Sequence, residues 1–253
     1  MGVHRNLEVF PMAVCLLGPI TFCLTFVLAV KLGHVSMLIP YISYTGEMPP
    51  EKNLFSQFLN ITAFLLAICV YIRHVLVSTA SEDDYLVNSN VNGIATAFGL
   101  VSCFGMCTVA NFQVNNVRSV HYFGAFLCFV GGNVYFLFQT IFSYRLSYMG
   151  HNKDVLICRL VLCLCAFAFN VITVVTGVLS YRHFRGKDPN HWTPEEDGFI
   201  WHISSATAEW LLTFVQSMLV LTFFPEFKAV QIRAPTIKIE NMYTPLVNFD
   251  DIA

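Results

Sequence analysis

Residues 155–181 read VLICRLVLCLCAFAFNVITVVTGVLSY, and Arg159 is the only charged residue in this stretch. A helix needs about 20 apolar residues to cross the hydrocarbon core of a bilayer, so this run is long enough to span a membrane. Comparable apolar runs lie at 10–31, 54–77, 92–110, 119–144 and 199–224. We therefore predict an all-α membrane protein, a bundle of six transmembrane helices.

The composition supports a membrane protein without a separate soluble domain. Hydrophobic residues make up 56% of the chain and charged residues only 12%, against about 25% charged in an average soluble domain. The connections between the runs are short, so we expect a transmembrane domain over 1–224 and a tail over 225–253. The net charge of -2 argues against a nucleic-acid partner.

The cysteines indicate neither a disulfide framework nor a cofactor. All nine lie inside apolar runs, where cysteine acts as a small packing residue. No CxxC pair, HExxH pattern or other catalytic motif is present, so we expect no metal, no cofactor and no enzymatic activity.

Six spans place both termini on the same side of the membrane. That side carries eight lysines and arginines and the other side carries six. The positive-inside rule therefore favours cytosolic termini, and the opposite side is expected to be luminal.

Glu209 is the most informative polar residue. It lies ten residues into the sixth run, about 15 Å of helix rise from the start and near the centre of the bilayer. His202 lies seven residues earlier, on the same face of the helix. Further polar residues fall at the luminal level of other runs: His121, Asn111, Gln113 and Asn60. Since ionisable groups inside a membrane are costly, we predict a luminal pocket for a lipid headgroup, an ion or a proton.

A structural alternative for these residues stays open. Glu209 could be protonated and hydrogen-bonded to its neighbours, which would lock the packing of the helices. A zinc site is a weaker interpretation, because His202 and Glu209 are about 10 Å apart along one helix. Arg73, Arg145 and Arg159 lie near helix ends, where we expect their side chains to snorkel to the interface.

The tail contains a candidate trafficking signal. Residues 243–246 read YTPL, a Tyr-x-x-apolar pattern similar to the signals that endosomal and lysosomal sorting adaptors bind. We therefore predict that Tyr243 and Leu246 form a sorting motif on the cytosolic side.

Several motifs together resemble one family. They include PYISYTG at 40–46, ANFQ at 110–113, His121 with Gly124-Ala125, and TAEW at 207–210. These motifs are similar to those of the DRAM proteins, the DNA damage-regulated autophagy modulators of the wider Frag/DRAM/Sfk group. The resemblance covers nearly all six spans in order, and departs at Tyr44, where the family usually carries Asp.

The resemblance implies a protein of lysosomal or late endosomal membranes that promotes autophagy, often under stress or alongside cell death. It would act without catalysis, through membrane lipids or protein partners. One alternative is a lipid-remodelling factor of the secretory pathway, as in the branch concerned with GPI-anchor maturation, located in the Golgi or at the plasma membrane. Another is an ion or proton transporter centred on Glu209. The oligomeric state stays open.

Overall fold

The computed structural model describes residues 3–4, 6–81, 86–146, 153–186 and 188–233. These residues form α1 (Val9–Leu32), α2 (Glu51–Ser81), α3 (Ser89–Asn111), α4 (Arg118–Leu146), α5 (Lys153–His183), α6 (Phe199–Leu221) and the short α7 (Phe224–Lys228). Six helices of this part of the chain are long and apolar enough to cross a membrane, the last counted from Phe199 to Lys228. The predicted all-α, six-span membrane protein is confirmed.

Both ends of the described chain meet on one side of the bundle. Strand β1 (Val3–His4) pairs antiparallel with strand β2 (Ile232–Arg233). We call this side the terminal end. The opposite side, the loop end, carries the α1–α2, α3–α4 and α5–α6 connections.

Helices α1 to α5 extend beyond the apolar runs that predicted them, whereas α6 ends at Leu221, before the end of its run at 224. Helix α2 begins at Glu51 and ends at Ser81, and α5 begins at Lys153. Hydropathy identifies the part of a helix that lies in the hydrocarbon core of the bilayer, whereas the backbone hydrogen bonds of the helix continue into the interfacial region. Each predicted run therefore coincides with one spanning helix, and the ends of the helices differ from the ends of the runs.

Small residues let α3 and α4 approach closely. A Cβ atom on Gly105 would collide with the backbone of α4 at Gly124 and Cys128, and a Cβ on Gly124 would meet Thr108 at 2.8 Å. Without a hydrophobic driving force inside lipid, such close backbone contact is a main source of helix association.

The C-terminal part of the described chain packs onto the bundle. Phe223 and Phe227 are fully buried and stack on each other with ring centroids 5.8 Å apart. Helix α7 therefore covers the terminal end, although its residues from 225 onwards were expected to belong to the tail.

Candidate functional site

A re-entrant segment at the loop end, residues 40–46, organises the site. It contains a 3-10 helix, Ile42–Gly46, and inserts between the helices, where Ile42 and Thr45 are buried. Thr45 and Thr25 of α1 share a hydroxyl–hydroxyl hydrogen bond of 2.9 Å. A side chain at Gly46 would collide with the ring of Phe55, so this position needs glycine. We call residues 40–46 the plug.

Helix α6 holds the plug through two consecutive residues. The Ile42 N–H donates to Glu209 Oε2 at 2.8 Å, and Trp210 Nε1 donates to the Pro40 carbonyl at 2.9 Å. A buried backbone N–H must find an acceptor, and Glu209 supplies it. Glu209 is thus an anchor for the plug as well as an intramembrane carboxyl group.

His121 ties the plug to α3 and α4. Its Nδ1 lies 2.6 Å from the Phe112 carbonyl oxygen, and its Nε2 lies 2.9 Å from Ser43 Oγ. A carbonyl can only accept, so Nδ1 carries the hydrogen, and in the neutral ring Nε2 accepts from the Ser43 hydroxyl.

His202 is held between aromatic rings. It stacks on Trp192 with centroids 4.4 Å apart and an interplanar angle of 11°, and Tyr41 meets it edge-on at 5.0 Å. His202 is 3% exposed, and its Nδ1 has no hydrogen-bond partner among the residues that the structure describes. This orphaned nitrogen marks a place where a bound polar group would be stabilised.

A large cavity connects these side chains. It has a volume of about 990 Å³ and is lined by Glu209, His121 and His202 together with the plug residues Tyr41, Ser43 and Tyr44. Its other walls come from α4, α5 and the α5–α6 connection. A second cavity of about 90 Å³ lies on the α1–α2 side of the plug, and Glu209 also lines it. The volume of the large cavity is at the upper end of the range for ligand pockets.

The other predicted site residues lie outside both cavities. Asn60 and Asn111 exchange two amide hydrogen bonds, of 3.2 and 3.0 Å, between α2 and α3. Gln113 donates to the Asn111 carbonyl at 3.3 Å. The structure therefore brings His121, His202 and Glu209 together in one cavity wall. Asn60 and Asn111 instead connect α2 with α3, and Gln113 bonds locally at the end of α3. The position of a residue within an apolar run predicts its depth in the membrane, but not the direction in which its side chain points.

Glu47, which the sequence did not single out, joins the three loop-end connections. Its carboxylate accepts from the Asn115 N–H at 2.9 Å, from Asn115 Nδ2 at 2.6 Å and from Asn190 Nδ2 at 3.0 Å. Burial raises the pKa of Glu47, and the three hydrogen bonds oppose the rise.

A second buried charged cluster lies toward the terminal end. Arg73 and Arg159 are both fully buried, and their guanidinium groups lie 2.9 and 3.2 Å from Glu226 Oε2. Arg73 also donates to Gln139 at 2.9 Å, and both arginines lie over the Phe223 ring. The expectation that Arg73 and Arg159 snorkel is wrong, because Glu226 of α7 gives them a partner inside the protein. Arg145, which is exposed and donates to the Leu86 carbonyl at 3.3 Å, does lie at a helix end.

The structure places no metal-binding arrangement in the described residues: no three His, Cys, Asp or Glu side chains form a group that could hold an ion. All nine cysteines fall within the described part of the chain, and each is a free thiol.

The fold thus defines the class of protein: a six-helix membrane bundle with a buried plug and a large cavity between its helices. Residues 6–230 match the family described as the Frag1/DRAM/Sfk1/Cwh43P N-terminal domain. The chain is 33% identical over 233 residues to the rat protein named DNA damage-regulated autophagy modulator protein 2, covering 91% of this chain and 87% of that protein. It is 34% identical over 234 residues to human DNA damage-regulated autophagy modulator protein 1, covering 92% and 95%.

This chain therefore belongs to the Frag1/DRAM/Sfk1/Cwh43P family, which confirms the resemblance found in its motifs. No solved structure matches the chain.

Proposed function

We propose that this protein modulates autophagy from the membrane of lysosomes or late endosomes, and that it does so without catalysis by holding a membrane lipid in its large cavity. The cavity of about 990 Å³ carries this proposal. The two relatives reported above are named as autophagy modulators, which supports the cellular role. The excess of lysine and arginine on the side of the termini supports a luminal loop end.

The walls of the cavity suit a lipid better than a hydrated ion. They are mainly apolar and aromatic, with residues such as Phe126, Phe129 and Val174. Polar side chains such as His121, Thr173 and Ser205 lie among them and can orient a ligand that is mostly apolar. A transporter centred on Glu209 is the less favoured function, since one oxygen of this carboxylate is already bonded to the plug.

A rescue experiment with a matched control tests the proposal. Ala125 lines both cavities, so Ala125→Trp fills the space that the lipid would occupy. Ala168 is exposed on α5 and lines neither cavity, so Ala168→Trp adds the same bulk to the outer surface. Each variant replaces the endogenous protein in cells, and autophagic flux is measured.

We expect wild type and Ala168→Trp to restore flux, and Ala125→Trp to fail although it reaches the same membrane in the same amount. Full rescue by Ala125→Trp would contradict a role for the cavity. Co-localisation of the wild type with a Golgi marker instead of a lysosomal marker would contradict the address and favour the lipid-remodelling alternative.

A further inference from the structure

The large cavity is bounded by two antiparallel helices that separate toward the loop end. Toward the terminal end α4 and α5 are joined, since Asn133 Nδ2 donates to the Ala166 carbonyl at 3.4 Å and Arg159 hydrogen-bonds Ser143. Between residues 118–132 and 167–183, all of which are described, no hydrogen bond joins the two helices. The cavity occupies this separated part.

The cavity is open sideways toward the bilayer. Phe126 and Tyr122 of α4 and Val174 of α5 line it, yet they are 59%, 53% and 57% exposed. Exposed lining residues on both α4 and α5 fit a cavity that opens to the outside of the protein between these two helices. Because these residues lie within membrane-spanning helices, the opening faces acyl chains.

The length of the cavity fits one leaflet. Arg118 and Val130 line it at opposite ends of a stretch of α4, about 18 Å of helix rise. Asn170 and Arg182 define a stretch of α5 with the same rise. One leaflet of a bilayer core is about 15 Å thick, half of about 30 Å. An acyl chain that enters between α4 and α5 therefore reaches from the loop-end interface to the middle of the membrane.

Positive charge is concentrated at the loop end of the cavity. The charged residues that line it are Arg118, Arg182 and Glu209. Arg118 is the first residue of α4 and Arg182 the penultimate residue of α5, whereas Glu209 lies about 15 Å of helix rise below the start of α6. Neither guanidinium forms an ion pair with a carboxylate in the described part of the chain.

A third group lies at the same level. His202, with its orphaned Nδ1, is in the first turn of α6 and lines the cavity. Guanidinium groups bind phosphate with charge-assisted, often bidentate hydrogen bonds, and the amino end of α4 adds the positive partial charge of a helix N-terminus.

We infer that the cavity selects an anionic glycerophospholipid, which enters between α4 and α5, places an acyl chain along the cavity and presents its phosphate to Arg118 and Arg182. This inference rests on the proposed function, because it assigns the class of lipid that the cavity holds. Below the arginines, aromatic and aliphatic side chains such as Phe126, Phe129 and Val174 line the cavity together with the polar side chains of His121, Thr173 and Ser205.

The test uses the full-length protein in nanodiscs that contain equal amounts of phosphatidylcholine and phosphatidylglycerol. After transfer to detergent, native mass spectrometry measures the ratio of the two retained lipids. We expect phosphatidylglycerol to be enriched at least about tenfold, a difference of about 1.4 kcal/mol. In the Arg118→Gln/Arg182→Gln variant the enrichment is lost. Arg185→Gln changes an exposed residue that does not line the cavity and keeps the enrichment.

The outcomes separate the two proposals. Retention of both lipids in equal amounts by the wild type would overturn the headgroup assignment and leave the lipid-binding function standing. Absence of any retained lipid would overturn the proposed function itself. A phosphatidylglycerol with a photoactivatable acyl chain gives a second readout: we expect labelled peptides from residues 122–130 and 170–178, and labelling confined to α1 and α2 would overturn the entry route.

Discussion

Removal of the Glu226 charge is predicted to destabilise the bundle strongly. Glu226 lies between Arg73 and Arg159, and both arginines are fully buried. In Glu226→Gln the shape is kept, but two guanidinium groups lose their counter-charge in a low-dielectric environment. Breaking a buried ion pair by removing one partner costs about 3–5 kcal/mol. Each kcal/mol lowers the Tm of a domain of this size by about 2–4 °C, so we expect a fall of about 6–20 °C.

The assay is thermal unfolding in detergent, followed by the loss of the monodisperse peak in size-exclusion chromatography. The control is Asp188→Asn, which removes the charge of an exposed carboxylate that lies 2.7 Å from His191. Exposed pairs contribute about 0–1 kcal/mol, so the control should change the Tm by no more than about 4 °C. If Glu226→Gln were as stable as this control, the inference that a buried ion cluster fastens α7 to the bundle would be refuted.

Three further predictions concern the plug, the loop end and the tail. Glu209→Ala leaves the Ile42 N–H without its acceptor and should lower the free energy of unfolding by about 1–3 kcal/mol. Glu209→Gln keeps an acceptor oxygen, so its stability should lie within about 1 kcal/mol of the wild type in the same assay. An equal loss of stability in both variants would contradict the anchor role. The folded state raises the pKa of Glu47, so it binds a proton more readily than the unfolded chain. The contribution of Glu47 to stability should therefore be present at acidic pH and be lost as the pH rises through the raised pKa. The rise in Tm on acidification should then be smaller in Glu47→Gln than in the wild type. An equal rise in both proteins would show that Glu47 is not the titrating group responsible. Replacing Tyr243 and Leu246, which lie outside the described residues, by Ala should move the protein from lysosomes to the cell surface in fluorescence images, and unchanged lysosomal signal would remove the support for a sorting motif.

The spans could be predicted from sequence because a bilayer imposes one simple requirement on each of them. The run at 155–181 is apolar almost throughout, and it forms the spanning helix Lys153–His183. No comparable rule identifies the plug. Residues 40–46 are the same kind of Gly- and Pro-containing connection that usually stays at the surface. Their return into the bundle is visible only in tertiary contacts, such as those with Glu209 and Trp210.

The candidate site was predictable in part for a related reason. The free-energy cost of placing a polar group inside a membrane identifies candidate residues by their depth in a span. By this criterion we predicted His121, His202 and Glu209, which line one cavity. The same criterion equally selected Asn60 and Asn111, which bond to each other, because depth does not determine which way a side chain points.

For two of the arginines, the prediction from sequence was wrong because their partner could not be identified. Arg73 and Arg159 were expected to reach the interface because they lie near the ends of apolar runs. Their partner, Glu226, comes from beyond the last apolar run and reaches them only because α7 packs on the terminal end. Pairing of this kind depends on tertiary structure and has no local signature.

The most direct test of the central claim is native mass spectrometry of the protein purified from cells in mild detergent. If the cavity of about 990 Å³ holds a lipid, the wild type and Ala168→Trp should each carry one lipid of discrete mass, and Ala125→Trp should carry none. The claim would be contradicted if the wild-type protein were detected without a bound lipid, or if Ala125→Trp retained the same lipid as the wild type.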